Sequence, residues 1–275
     1  MDIHTHASGL PATFTADGVE RVLAMLPTPP ALRATFAPFV SVAPVIPESQ
    51  WYEISRRDDF GPEFVLDQKN HGSCVGYSSS GALMKARALA GQTYQKLSGS
   101  FTYSLINGGR DAGANIGDSL RTLMSAGTCL DSEAGWDAIY PNRYPSSAKQ
   151  TAQRFMVSEG YRCDTYEEAV TGLILGYTLV YAVMVGSTFD RFDGEGVIGY
   201  DRGPGNHAVH AFGLKPSGKW GMMLDGCNSW GLQWGEKGYF RSARKHWDGV
   251  QQDAYLIRAT KFDPLDPSKP PVAVE

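Results

Sequence analysis

The sequence predicts an α+β protein in which helices come first and antiparallel strands follow, the order of two segregated lobes. Three observations carry that expectation. Between Cys74 and Gly176 the chain is made of helix-forming stretches, several of them stopped by glycine. Beyond Gly176 it turns to β-branched and aromatic runs bounded by Gly, Asp and Asn. Its 275 residues suffice for one large domain or for two lobes sharing a cleft.

The first 44 residues are rich in Pro, Thr and Ala and read as an extension lying against the main body (1–44). One short helix is expected there, over "DGVERVLAML", with Asp17 as its cap. A longer helix runs from Cys74 to about Ala90 and stops at Gly91. A second lies in "GDSLRTLMSAG", where Leu120, Leu123 and Met124 share a face before Gly127. A third starts after Pro145 in "SSAKQTAQRF". A fourth starts at Thr165, where Glu168 three residues on makes a capping box, and ends at Gly176. Strands are expected in "YTLVYAVMVG", "HAVHAFGLK", "KWGMMLDG", "KGYFRS" and "AYLIRATKF". The tail "DPLDPSKPPVAVE" (263–275) holds too much proline for regular structure.

Composition narrows the function. Apolar residues make up 42% and charged residues 20%, as in an ordinary soluble globular protein. The net charge is −4, and the longest basic grouping is the short "RSARKH" at 241–246. Nucleic-acid binding would need a concentrated basic face, so it is not expected. No apolar run reaches the roughly 18–20 residues of a membrane span. The N-terminus lacks a basic start, so no secretory signal is expected. Four widely spaced cysteines are too few for a disulfide framework, and Cys129, Cys163 and Cys227 read as free thiols. A reducing, cytoplasmic setting is the expectation. "DIHTH" brings His4 and His6 together, but a frayed terminus explains them better than a metal site.

Cys74 is the candidate nucleophile. At a helix start its sulfur sits beside free N–H groups and the positive end of the dipole, which favours the thiolate. An imidazolium partner would do more. "HAVHAFG" offers His207 and His210, which a strand points to opposite faces, so the spacing alone leaves either open. A third group must orient the imidazole. "CNSWGLQWGEKGYF" supplies Asn228, with Trp230 and Trp234 to shield its hydrogen bond from water.

Together these stretches resemble the papain family of cysteine peptidases. Gln68 stands six residues before Cys74 in "QKNHGSC", "NHAVHAFG" matches the family's histidine strand at His207, and "NSWGLQWG" matches its asparagine loop. His207 and Asn228 follow Cys74 by about 133 and 154 residues, close to the family spacing of roughly 130–150. The resemblance covers most of 45–262. It implies a helical lobe, then an antiparallel β-barrel-like lobe, with the cleft between them. It also implies Cys74 as nucleophile, His207 as its ion-pair partner, Asn228 as orienter and Gln68 in the oxyanion hole. Peptide or protein is then the substrate, and no metal or organic cofactor is needed.

Finer likenesses extend the expectation. Gly113 and Ala114 take the place of the Gly-Gly pair that binds the substrate backbone. Trp230 shelters the site, and Ile257 or Arg258 closes a substrate pocket. There are departures too. Val75 follows the nucleophile where a Trp is usual, and His71 takes the place of a disulfide cysteine. A papain-like protein kept for binding rather than catalysis, or an acyl transferase using the same residues, are the alternatives. The extension, shorter than the family's propeptides, is a candidate cleft-covering segment.

Overall fold

The chain opens with a hairpin where a helix was expected. In the computed structural model, residues 12–201, 203, 205–248 and 253–259 are described; His4, His6 and the proline-rich tail lie outside them. Strands β1 (Ala12–Ala16) and β2 (Val19–Leu23) pair antiparallel, with Ala16 opposite Val19. Asp17 and Gly18 form the turn, both at positive φ (51° and 73°). Asp-Gly between alternating apolar residues is among the strongest short hairpin signals, because this turn matches the twist of the strands. Phe14 and Ala16 on one strand, and Arg21 and Leu23 on the other, are buried with period two. That period overrides the helical reading of "VERVLAML".

Residues 24–28 then pass over the main body, and the single-turn helix α1 (Pro30–Arg33) turns the chain. Phe39 is fully buried against Tyr161 and Tyr177. The extension is thus two pieces, a hairpin with its following segment and a stretch around Phe39 built into the core. Packing makes no break at residue 44.

The helical half comprises α2 (Cys74–Leu89), α3 (Gly99–Ile106), α4 (Ile116–Ser125) and α5 (Ser146–Ala152). Fourteen of the sixteen residues of α2 are buried, so this helix is enclosed on every side instead of lying on the surface. Helix α3 was not foreseen. Its Gly, Ser, Thr and Phe are poor helix formers, yet Ser98 caps it by accepting from the Phe101 N–H.

Strand β3 (Glu159–Arg162) leads into α6 (Tyr166–Ile174). Thr165 caps α6 as expected, accepting from the Glu168 N–H, but the Glu168 carboxylate reaches back to the Asp164 N–H instead of Thr165. Strands β4 (Thr178–Val185), β5 (Gly205–Ser217), β6 (Gly221–Cys227) and β7 (Tyr239–Ser242) follow. Helix α7 (Arg244–Asp248) and strand β8 (Ala254–Arg258) complete the described chain.

The sheet runs β3-β8-β4-β5-β6-β7, every pair antiparallel. The helix-then-strand order holds, but the sheet is open, with β3 and β7 at its edges instead of closing into a barrel. Strand β5 lies between two cores. Val209 and Ala211 face the core that contains α6 and Trp230, while Ala208 and Phe212 face the one that contains α2. A register shift between Ala211 and Gly213 inserts one residue, which returns Leu214 to the first core.

Candidate active site

Cys74 is the first residue of α2 and is buried. Burial pushes its thiol pKa up, and nearby backbone groups of Ala208, Ala24, Val75 and Cys74 itself pull the other way. Strand alternation sends the two histidines to opposite faces. His207, opposite Val183 on β4, points toward Trp230, whose ring lies 4.8 Å away. His210 points to the other face, where its Nε2 lies 3.1 Å from the Lys85 ammonium.

His207 Nε2 is 2.7 Å from Asn228 Oδ1. The Ser229 N–H donates to the same oxygen at 2.7 Å, which fixes the amide with its oxygen toward the ring. Nε2 therefore carries the proton, and neutral His207 has its lone pair on Nδ1. That Nδ1 is buried without a hydrogen-bond partner. Burial brings the His207 pKa down to about 4, with the Asn228 bond opposing and the Arg21 charge adding to the fall. Burial thus works against both the thiolate and the imidazolium.

Ser229 also holds Gln68, a connection the sequence reading missed although the residue stands inside "NSWG". Its hydroxyl donates to Gln68 Oε1 at 2.7 Å, and the Gln68 N–H donates to the Ser229 carbonyl at 2.9 Å. Gln68 Nε2 then donates to His71 O at 2.9 Å and reaches Val22 O at 3.5 Å. One serine sets both amides, Asn228 and Gln68.

Val22 belongs to the extension, and the rest of that segment occupies the same groove. The Ala114 N–H donates to Ala24 O at 3.1 Å, the Leu26 N–H to Ala114 O at 2.8 Å, and the Met25 N–H to Asn206 O at 3.3 Å. Met25 and Ala114 form a parallel bridge. Gly113, at φ +91°, leaves room that a Cβ would take from the Ala24 carbonyl. On the other side, Phe14 stacks on Trp230 at 5.7 Å. Arg21, only 2% exposed, donates to Asp67 Oδ1 at 2.7 Å and to Trp230 O at 2.9 Å.

Gly113, Ala114 and Trp230 thus line the groove. Ile257 and Arg258 do not. Ile257 pairs with Thr178, five positions along β4 from the residue opposite His207, or roughly 17 Å at strand spacing. Arg258 packs over the Tyr177 ring at 5.1 Å. Strand β8 was expected to bring Ile257 or Arg258 to the substrate, and these lie toward its far end. Its near end carries Asp253, which accepts from the Thr28 N–H at 2.9 Å and the Thr28 hydroxyl at 2.8 Å. His71, where the resemblance implies a disulfide cysteine, bonds through Nδ1 to Asp111 Oδ2 at 2.8 Å. All four cysteines are free and buried. Among the described residues no cluster of His, Cys, Asp and Glu could hold a metal ion, and no helix is long and apolar enough to cross a membrane.

A helix-borne cysteine, an amide-held histidine on the facing sheet and a groove that grips an extended chain define a thiol-protease framework. The papain family cysteine protease profile matches residues 55–257, and the chain belongs to that family. Among solved structures it is similar to xylellain, a cysteine protease from Xylella fastidiosa, at 20% identity and a TM-score of 0.70, covering 86% of this chain and 96% of that one. It is also similar to digestive procathepsin L 3 of Tenebrio molitor larval midgut, at 18% identity and TM-score 0.64, over 81% and 73% of the two chains. An uncharacterized peptidase C1-like protein of Acanthamoeba polyphaga mimivirus is 24% identical over an alignment of 180 residues that covers 57% of this chain and 57% of the viral protein.

Proposed function

We propose that the chain is a latent cysteine peptidase whose own residues 12–28 cover the cleft. The observation that carries this reading is His207 held by Asn228 at 2.7 Å with its Nδ1 unpartnered, on the strand whose Ala208 backbone meets the Cys74 thiol. Once the segment leaves, water enters and the burial penalty on both charged forms falls. His207 Nδ1 then takes the Cys74 proton, and the thiolate attacks a peptide carbonyl. Gln68 Nε2 and the Cys74 N–H donate to the oxyanion, an arrangement worth about 3–4 kcal/mol in comparable holes. His207 returns the proton to the leaving amine, and water hydrolyses the thioester with His207 as base.

The segment is suited to block and unsuited to be cut. It pairs with Ala114 in parallel, with the hairpin on the Trp230 side and Thr28 on the Asp253 side. The Ala24 backbone is what it brings to the thiol.

The test is alkylation of each cysteine by iodoacetamide from about pH 4.5 to 8.5, read by peptide mapping, alongside peptide hydrolysis. In the covered chain Cys74 should react slowly and steeply with pH. With the hairpin loosened, its rate should stay nearly flat toward pH 5 and hydrolysis should appear. An uncovered Cys74 that slows about tenfold per pH unit, as an ordinary thiol does below its pKa, and cuts no peptide would overturn the reading.

A further inference from the structure

We propose that Asp111 and Tyr103 act together as a spacer that sets the width of the cleft where a bound chain passes Cys74. Two glycines flank that point. A Cβ on Gly72 would lie 2.9 Å from the Ala24 Cβ, and one on Gly113 would run into the Ala24 carbonyl. Gly72 belongs to the loop that ends at Cys74, and Gly113 to the stretch before α4. The groove therefore has two walls, carried by different parts of the chain, and their separation decides whether an extended backbone fits.

One hydrogen-bonded circuit joins the walls. The Gly72 N–H donates to Asp111 Oδ1 at 2.9 Å, and the Tyr103 hydroxyl donates to the same oxygen at 2.8 Å. The Gly113 N–H donates to the Tyr103 hydroxyl oxygen at 3.0 Å. Asp111 Oδ2 takes the His71 Nδ1–H at 2.8 Å, and the His71 ring lies 5.1 Å from Trp136. Tyr103 rises from α3 and is fully buried, so the oxygen that links the walls is fixed by the core. Asp111 accepts three of the four bonds in the circuit, and the fourth ends on the Tyr103 hydroxyl oxygen that Asp111 itself holds. Neither side chain is asked to touch the reacting atoms; both are positioning residues acting through backbone N–H groups.

The inference rests on the groove being a peptide-binding site, but its test needs no turnover. Hydrogen exchange on the full chain reads the Leu26 and Ala114 amides, which bridge the extension and the groove. Asp111→Ala should speed both by about tenfold or more, and Tyr103→Phe by about threefold or more, with Val209 in the sheet changed less than about twofold. Asp111→Asn keeps an oxygen for Gly72 and Tyr103, its NH2 donating to His71 Nδ1 in the other tautomer, and should stay within about twofold of the parent. If Asp111→Ala does not fold, Tyr103→Phe carries the test, since it removes one oxygen atom. Unchanged Leu26 and Ala114 rates in Tyr103→Phe, or equal acceleration at Val209, would overturn the spacer. Intact spacer behaviour with an unreactive Cys74 would instead sink the peptidase reading and leave the spacer standing.

Discussion

His207 and His210 stand three residues apart on one strand, both buried, and their partners are opposite in character. His207 meets the carbonyl oxygen of Asn228. His210 meets an ammonium, Lys85 Nζ, which also donates to Phe64 O at 3.2 Å and lies 5.3–5.8 Å from the rings of Phe60, Phe64, Phe212 and Tyr239. Burial lowers both imidazole pKa values. For His207 the Asn228 bond then works against burial, while for His210 the Lys85 charge adds to it. Burial is thus common to both rings, and the partner decides which of them is able to accept a proton. Beside Lys85, His210 stays neutral, and burial lowers the Lys85 pKa as well.

The largest effect should come from the ring that is free to accept a proton. His207→Ala, in protein with the extension loosened, should lower kcat/KM for peptide hydrolysis by about 10²–10⁴-fold. His210→Gln keeps an acceptor for Lys85 and should change it by less than about threefold. Equal losses in both variants would mean that the two rings do not differ in role.

The ring beside Lys85 should matter to stability instead. Lys85→Met removes the ammonium from the core and leaves the Phe64 carbonyl and His210 Nε2 without a donor. Stranding two buried acceptors should cost about 2–5 kcal/mol in urea unfolding. A cost below about 1 kcal/mol would mean that the aromatic cage, not the hydrogen bonds, holds α2 against the sheet.

How much of this was legible follows the same division. Helix α2, the five later strands and the four residues Gln68, Cys74, His207 and Asn228 stood in the sequence because each sits in a local pattern. The choice of His207 over His210 came from likeness, since alternation separates the two rings without ranking them. Lys85 gave no signal: eleven residues on from Cys74, it looks like any helix lysine until β5 and β6 arrive. Asp253 was missed because the position along β8 that reaches the cleft depends on register with β4, which only pairing fixes. The hairpin was missed for a different reason. Its Asp-Gly signal was present and lost to an assumed helical period.

Acid should sharpen the comparison through His207. Its folded pKa of about 4 lies below the ordinary value near 6.5. The unfolded chain therefore binds the proton first, so the stability that neutral His207 contributes is complete above about pH 6.5 and is lost as pH falls toward 4. That loss is about 3 kcal/mol over the window. His207→Gln carries no such group. The unfolding free energies of parent and variant should converge as pH falls from 7 to about 4.5. Parallel curves would show that His207 takes its proton in the covered state as readily as in the unfolded chain, and diverging curves that the folded state prefers it protonated.

The smallest effect expected is the one that connects latency to chemistry. Arg21 reaches from β2 to Asp67 Oδ1, Lys69 O and Trp230 O, with its guanidinium 6.0 Å from the Trp230 ring centroid. It fastens the hairpin over the cleft, and its positive charge also disfavours a proton on His207. Asp67 keeps a second cation, Lys69 at 2.7 Å, so losing Arg21 does not strand the carboxylate. The cost of Arg21→Ala should stay near 1–2 kcal/mol, roughly a five- to thirtyfold rise in Cys74 alkylation at neutral pH. Arg21→Lys separates the two roles, because it keeps the charge but loses the fork that spans carboxylate and carbonyl. If the fork is the latch, lysine should resemble alanine in alkylation rate. If the charge is what quiets His207, lysine should resemble the parent. An alanine variant that reacts no faster than the parent would mean that Phe14 stacked on Trp230 and the pairing at Ala114 hold the segment without Arg21.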